Sequence, residues 1–281
     1  MSLVWINGQL IDKAEARVSP FDHGFLYGDS VWEPLRAFDG KLFRAAEHVR
    51  QLFDAAAALD LSIPYSSDEL IAAIEATLRA NEREVGYVRV IVSRGTGTLG
   101  PDPRKIDAQL FIITEEYRPF PMELSEHGLH VALAPHPVRT DSVLSRVRTL
   151  GQAHVVAAKA HALKQGCLEA VLTNPDGVLV GGTEGMLMLV QDGAVIVASG
   201  HVVDVHGYAV AAMVGEAGLV VAETSIRLPD LLAAEEAFLV GTSCGVIAIV
   251  QVDGKPIGSG TEGPITRQIR EAYRELTRGE E

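Results

Sequence analysis

Apolar and polar positions follow two different periods along the chain, and the change of period marks the elements. Alternation with a period of two surrounds the Asn-Gly pair at 7–8 and predicts a β-hairpin, because this pair accepts the positive φ of a tight turn. The apolar run 31–38 predicts a longer strand. Residues 45–59 instead place apolar side chains on one stripe of a helix. Ser66 followed by Glu69 has the spacing of a capping box and predicts that a second helix begins there.

The second half of the chain contains more short apolar runs than the first, and these runs predict its strands. Turn-forming residues such as the Asp-Gly pair at 176–177 separate the early runs. Three other stretches carry the helical period. The expected strands are 129–134, 169–172, 186–190, 195–198, 219–222, 237–240 and 246–250, and the expected helices are about 149–165, 206–217 and 264–277.

A boundary between two domains is expected where the periodic pattern lapses. Residues 118–128 carry two prolines and no apolar period, which is typical of a linker. With 281 residues and 47% apolar residues, the chain is long enough to bury two cores. We therefore predict an α+β protein with an N-terminal α/β domain over 1–117, an interdomain linker over 118–128 and a strand-rich C-terminal α/β domain over 129–281.

Charge and cysteine content narrow the classes of function. The 24 Lys and Arg residues against 37 Asp and Glu residues give a net charge of -13, which argues against nucleic acid or an anionic membrane as the partner. A small anionic ligand stays possible, because a buried pocket sets its own potential. Cys167 and Cys244 form neither a disulfide framework nor a metal motif, and no apolar run reaches the length of a membrane span. We expect a protein of the reducing cytoplasm without a metal site.

The clearest motif is the segment Asp22–Arg36, which reads DHGFLYGDSVWEPLR. It closely resembles the signature of the fold-type IV pyridoxal-phosphate enzymes, which are the branched-chain and D-amino-acid aminotransferases and the aminodeoxychorismate lyases. The resemblance implies the two-domain fold of these class IV aminotransferases, a homodimer and a cofactor pocket between the domains. Further segments agree with the family in order and spacing, namely Phe43-Arg44 with Glu47-His48, Val92-Ser93-Arg94-Gly95, Thr149-Leu150, Gly241-Thr242 and Gly263-Pro264-Ile265-Thr266.

Four positions at which this family holds its cofactor carry other residues here. The resemblance places the imine-forming lysine at Arg148 and the carboxylate that keeps the pyridine nitrogen protonated at Gly181. The phosphate-binding arginine falls on Gln51. The phosphate-binding Gly-Ile-Thr turn falls on Asp204-Val205-His206, where a carboxylate would repel a phosphate. Thr242 is retained among the phosphate ligands that the resemblance implies. Because the other positions are replaced, we expect a degenerate cofactor site.

Arg148 decides which chemistry is expected. Burial lowers the pKa of a lysine from about 10.4 far enough to supply a neutral amine, whereas an arginine starts at about 12.5 or above and stays charged. Making it neutral at pH 7 would cost on the order of 7 kcal/mol. Covalent pyridoxal chemistry at 148 is therefore not expected, and the cofactor is predicted to be bound non-covalently or not at all. Arg148 either anchors the carboxylate of a ligand or satisfies a collapsed pocket, and the sequence leaves both open.

Each of the other candidate site residues has a structural alternative. Arg94 either braces its loop or contacts a ligand. Asp204 and His206 form either an acid–base pair or a helix cap with an adjacent histidine. The predicted catalytic groups are Arg148, His206, Asp204 and Tyr27, and the predicted ligand contacts are Arg148, Arg94, Tyr27, Trp32, Thr242 and Ser243.

Three functions fit these observations. The first is a descendant of the family that binds, or also transforms, a small carboxylate-bearing metabolite without pyridoxal phosphate. The second is a pyridoxal-phosphate-dependent aminotransferase or aminodeoxychorismate-type lyase with an atypical site. The third is a non-catalytic binding or regulatory protein.

Overall fold

The computed structural model describes residues 2–200 and 204–279, and the chain forms two units. Unit 1 consists of Met1–Tyr117 together with Val147–Gln152, and unit 2 consists of Arg118–Arg146 and Ala153–Glu281. The division after Tyr117 lies at the end of the N-terminal domain expected from the sequence. The apolar pattern did not predict that residues 147–152 belong to unit 1. This segment forms neither a helix nor a strand, so it has no period to detect.

An antiparallel sheet forms the centre of unit 1. Its elements are β1 (Leu3–Ile6), β2 (Gln9–Asp12), α1 (His23–Tyr27), β3 (Ser30–Phe38), β4 (Lys41–Leu42), α2 (Ala45–Ala57), α3 (Ser67–Ala80), β5 (Gly86–Ser93) and β6 (Gln109–Glu115). The strand order is β2-β1-β6-β5-β3-β4. Leu52 of α2 and Ile74 of α3 are buried against Leu35 of β3 and Val90 of β5. Because successive strand residues face opposite sides, Arg89 lies on the other face of the sheet from Val90.

Helix α1 lies inside a segment whose glycines argue against a regular element. Asp22 caps this helix, since its carboxylate accepts hydrogen bonds from the backbone amides of Gly24 and Phe25. Gly28 ends it with a φ of 71°, a left-handed conformation that favours glycine. Gly28 therefore ends a short helix, and Asp22 at its start is the residue from which the helix could have been predicted.

Unit 2 is built on a mixed sheet of ten strands. Its elements are α4 (Leu124–His127), β7 (Leu129–Leu133), α5 (Ala153–Lys164), β8 (Glu169–Thr173), β9 (Val178–Gly182), β10 (Met186–Gln191), β11 (Ala194–Ala198), α6 (Val205–Glu216), β12 (Val221–Thr224), β13 (Ile226–Arg227), α7 (Leu228–Ala233), β14 (Glu236–Gly241), β15 (Gly245–Val252), β16 (Lys255–Pro256) and α8 (Pro264–Gly279). The strand order is β12-β11-β10-β14-β15-β7-β8-β9-β13, with β16 beside β15. Parallel pairs join β7 to β8, β7 to β15 and β11 to β12. The two units confirm the predicted α+β class.

The structure differs from the expected pattern at two further places. Residues 118–128 belong to unit 2 and include α4, and Phe120 and Leu124 pack in a core with Ile249 of β15. Two apolar side chains in a short segment are too few to show a period. The central helix begins at Ala153 and not near 149, because residues 148–150 follow the edge of β3 instead. Within the described residues, no helix is long and apolar enough to cross a membrane.

Candidate functional site

Arg148, at the family's lysine position, lies in a buried ion pair of unit 1. Its Nη1 donates to Oε2 of Glu33 over 3.2 Å, and the side chains of Arg148 and Glu33 are 12% and 3% exposed. Its backbone is held as well, because the Trp32 amide donates to the Arg148 carbonyl over 2.9 Å. Arg148 is therefore fixed beside β3 through both its side chain and its backbone.

Glu33 also contacts two side chains of α2. His48 Nδ1 lies 2.8 Å from Glu33 Oε1, and Gln51 Nε2 donates to Oε2 over 3.3 Å. His48 and Gln51 are neighbours on one face of α2, since they are three residues apart. Gln51, at the position of the family's phosphate-binding arginine, is thus directed at a carboxylate. Glu33 was not among the residues expected in the site.

Two guanidinium groups contact the ring of Trp32, whose Nε1 donates to the Thr149 carbonyl over 3.0 Å. The Cζ of Arg89 lies 4.1 Å from the ring centroid and that of Arg148 lies 5.8 Å away. Arg89 donates from Nη2 to the Tyr87 hydroxyl over 3.1 Å, and its buried Nε has no hydrogen-bond partner among the described residues. Among the described residues, no carboxylate oxygen lies within 4.0 Å of a guanidinium nitrogen of Arg89. Sequence reasoning missed Arg89, although the period of β5 places it on one face with Tyr87.

Two predicted ligand contacts of unit 1 are bonded to other parts of the same unit. Arg94 makes a bidentate ion pair with Asp29, at 2.9 and 3.0 Å, and donates to the carbonyls of residues 59–60. These contacts agree with the bracing role that the sequence left open. Tyr27 is exposed, and its hydroxyl donates to the carbonyl of Leu99. Contacts of Arg94 and Tyr27 with a ligand stay predictions.

Asp204 and His206 meet at the start of α6 in unit 2. Asp204 is the N-cap, and its Oδ1 accepts from the backbone amides of His206 at 3.1 Å and Gly207 at 3.2 Å. The imidazole of His206 is fully buried, and its Nδ1 lies 2.5 Å from the Tyr273 hydroxyl. These contacts give Asp204 the helix-cap role, which was one of the two alternatives.

Thr242 adds donors to the same carboxylate from a different element. Its amide donates to Oδ2 of Asp204 over 3.4 Å, and its hydroxyl lies 3.3 Å from Oδ2 and 3.4 Å from Oδ1. Thr242 follows β14 and is buried, as is Asp204. Thr242 thus binds a carboxylate of its own chain.

The position of the family's carboxylate has a backbone that suits glycine. Gly181 has a φ of 133°, a region that side chains rarely adopt. Glu184, three residues further on, accepts from the Ser243 hydroxyl over 2.9 Å and lies 3.9 Å from the Nζ of Lys159. The Glu184 carboxylate is thus directed at Ser243 and Lys159 of its own unit.

Two further buried groups of unit 2 have shifted pKa values. Burial raises the pKa of Glu169, whose Oε1 accepts from the Ala170 amide and from the amide and hydroxyl of Thr183 at 2.6–2.8 Å. Burial, followed by the nearby carboxylates of Glu184, Asp204 and Glu169, raises the pKa of the Cys244 thiol well above its usual range. Among residues 2–200 and 204–279, no group of three or more His, Cys, Asp or Glu side chains is placed to hold a metal ion.

Comparison with known proteins extends the resemblance over the whole chain. Residues 30–252 match the model of the amino-transferase class IV family. A Methanocaldococcus jannaschii protein, provisionally named a branched-chain-amino-acid aminotransferase, is 33% identical over 278 residues, which cover 97% of this chain and 96% of that one. The D-alanine aminotransferase of Staphylococcus haemolyticus is 28% identical over 280 residues, or 97% of each chain.

A solved structure shows the same fold. The branched-chain aminotransferase of the thermophilic archaeon Thermoproteus uzoniensis, with norvaline, is similar with a TM-score of 0.91 and 28% identity. The similarity covers 100% of this chain and 96% of that one. The chain therefore has the fold of this aminotransferase structure.

Proposed function

Because the chain belongs to the class IV aminotransferase family, we propose that it is a member that works without pyridoxal phosphate and binds a small carboxylate-bearing metabolite in unit 1. The observation that carries this proposal is the ion pair between Arg148 and buried Glu33 at the position of the family's lysine. A guanidinium remains charged at neutral pH, so it does not form an imine.

The residues at the other cofactor positions do not fit pyridoxal phosphate either. Gln51 donates to Glu33, so its side chain is directed at a carboxylate. Asp204 takes the amide donors at the start of α6, and its negative charge opposes a phosphate there. The backbone of Gly181 leaves no relaxed conformation for a glutamate. Several independent changes thus support the loss of the cofactor.

Arg89 is the residue that we expect to hold the ligand carboxylate. Arg89 and Arg148 both lie against the Trp32 ring, but the ion pair with Glu33 belongs to Arg148. Among the described residues Arg89 has no acidic partner, so its positive charge is left uncompensated. Stacked guanidinium groups bind planar carboxylates with two parallel hydrogen bonds. Arg148 then contributes a fixed cation beside the ligand and holds Glu33.

The alternative is an active pyridoxal-phosphate-dependent aminotransferase. The observation in its favour is the 33% identity to a protein named as a branched-chain-amino-acid aminotransferase, extended over almost the whole chain. The residues at the cofactor positions oppose it. A non-catalytic binding protein would share the carboxylate site, and turnover assays separate it from an enzyme.

Visible absorbance of the purified protein, before and after adding pyridoxal phosphate, separates the proposal from the alternative. We expect no imine band and no adduct trapped by borohydride, and an imine band that borohydride abolishes would overturn the proposal. Arg148→Lys alone should not restore transamination, because Gln51, Gly181 and Asp204 are unchanged. Recovery of activity from that single change would show that the assignment of these positions is wrong.

A thermal-shift screen of small mono- and dicarboxylates tests the ligand class. We expect a stabilising compound whose effect disappears in Arg89→Met. The matched control is Arg79→Met, which removes an exposed arginine from α3. Turnover assays on the stabilising compounds then decide whether the protein transforms its ligand. A screen in which no carboxylate stabilises the wild type contradicts this ligand class.

The assembly expected from the family is a homodimer, and this stays a proposal. Exposed apolar side chains near the N-terminal motif support it, namely Phe21, Phe25 and Leu99. Sedimentation equilibrium should give twice the 30.1 kDa of one chain. A mass of one chain at micromolar concentration would contradict it.

A further inference from the structure

The donors around Asp204 form an anion site that the chain fills itself. Two of them are amides in the first turn of α6, a helix of 12 residues. Two more are the amide and hydroxyl of Thr242, which belongs to a turn between β14 and β15. Amides at a helix N-terminus and in a turn, directed at one point, bind anions. The anion seated on these donors is the carboxylate of Asp204.

The carboxylate fits these donors loosely. These donors lie 3.1–3.4 Å from its oxygens, near or beyond the long end of the usual range of about 2.7–3.2 Å. A tetrahedral oxyanion presents more acceptor oxygens than a carboxylate and suits donors that arrive from two elements. The donor set is therefore compatible with a larger anion once the Asp204 side chain is removed.

The start of α6 is held in a fixed place against the sheet. A Cβ on Gly207 would lie 2.2 Å from the Sδ of Met186 on β10, so any larger residue would have to displace the Met186 side chain. Met186 is itself buried in a core that includes Val210 of α6. The amides of His206 and Gly207 are thus positioned by packing that does not involve the Asp204 side chain.

We infer that Asp204 is a built-in anion that excludes phosphate-bearing ligands from unit 2, pyridoxal phosphate among them. Its carboxylate occupies the donors that a phosphate would need, and its charge repels a phosphate that approaches them. Asp204 is therefore a specificity-determining residue, and the wild-type protein selects ligands without a phosphate at this position. The inference concerns unit 2 and does not depend on the carboxylate site proposed around Arg89.

Isothermal titration with inorganic phosphate tests the inference. Asp204→Gly removes the carboxylate and is expected to bind phosphate at least about tenfold more tightly than the wild type. Asp204→Asn keeps the shape and removes the charge, so we expect a smaller gain. The control is Asp230→Asn at the start of α7, whose carboxylate accepts from the Arg227 amide and, among the described residues, has no donor from a second element. Equal affinity in wild type and both Asp204 variants overturns the inference, as does an equal gain in Asp230→Asn.

Two further variants locate the bound phosphate. Adding Thr242→Val to Asp204→Asn removes one donor and should reverse the gain, which also provides a test if Asp204→Gly does not fold. Adding Arg89→Met to an Asp204 variant should leave the gain unchanged, and loss of the gain there would place the phosphate in unit 1 and overturn the inference. Phosphate binding does not report on an imine at position 148, so failure here leaves the absorbance test of the proposed function intact.

Discussion

The two units bury carboxylates with different kinds of donor. In unit 1, Glu33 is surrounded by the side chains of Arg148, His48 and Gln51. In unit 2, the donors described for Asp204 and Glu169 are backbone amides and threonine hydroxyls. Side-chain donors can be removed by one substitution, whereas amide donors remain as long as the backbone does. A single substitution near Glu33 should therefore destabilise its buried charge. At Asp204, by contrast, the amide donors remain when the side chain is replaced, so they are available to a different anion.

The largest expected effect comes from breaking the network of unit 1. Glu33→Gln removes the buried carboxylate that pairs with Arg148, and we expect the free energy of unfolding to fall by about 3–5 kcal/mol. Urea denaturation of wild type and variant measures this. The control is Glu115→Gln, which breaks the more exposed pair with Lys13 and should cost less than about 1 kcal/mol.

A double variant sharpens the same comparison. In Glu33→Gln with Arg148→Met both charges are absent, so a large part of the lost stability should return. If the double variant is as unstable as the sum of the two single variants, the ion pair does not couple these residues and the account of unit 1 is wrong.

A smaller effect is expected at the uncompensated cation of unit 1. Arg89→Met should weaken the binding of the carboxylate found by screening by about 30-fold or more, because a desolvated charge contact is worth roughly 2–5 kcal/mol. The free energy of unfolding should change little, since Arg89 has no ion pair to lose among the described residues. Calorimetric titration measures the affinity, and undiminished binding would show that Arg89 does not contact the ligand.

The pH dependence of stability tests Glu169 in unit 2. Because burial raises its pKa above the ordinary 4.5, the folded state binds the proton more tightly than the unfolded state. Its ionisation therefore lowers stability as pH rises from about 4.5 through the raised pKa. Glu169→Gln keeps the acceptor for Thr183 and cannot ionise, so its stability relative to wild type should increase across this range. A pH-independent difference in denaturation midpoints contradicts the raised pKa.

The smallest effect concerns the two thiols of unit 2. Cys244 has its pKa raised by burial and by three carboxylates, whereas the pKa of Cys167 is raised by burial and by Asp253. Iodoacetamide at about pH 8 should therefore label Cys167 first, as read by mass spectrometry of peptides. Faster labelling of Cys244 would mean that the turn after β14 opens in solution.

The local elements of the fold could be predicted from the sequence because their signals are local. The Asn-Gly hairpin, the capping box at Ser66 and the stripe of α2 are each encoded within a few residues of one another. The assignment of Arg148, Gly181 and Gln51 to cofactor positions came from the family motifs, and it stays a prediction. The α+β class was therefore accessible without coordinates.

The contacts of the site were not accessible in this way. Arg148 and Glu33 are 115 residues apart, and Thr242 and Asp204 are 38 apart. Periodicity reports which face of an element is buried, and it does not report which distant residue lies opposite. For Arg148 the sequence left open whether it anchors a ligand or satisfies a collapsed pocket. The structure pairs it with Glu33 and places Arg89, which has no acidic partner among the described residues, against the same Trp32 ring.

The return of residues 147–152 to unit 1 has a consequence for synthesis of the protein on the ribosome. Glu33 is made 115 residues before Arg148, an interval of about 6–23 s at the usual rates of translation. During that time β7, the first strand of unit 2, is also made. A nascent chain in which all strands of unit 1 have been made still lacks Arg148, whose positive charge pairs with the buried Glu33 carboxylate. Completion of unit 1 is thus delayed until unit 2 has begun to emerge.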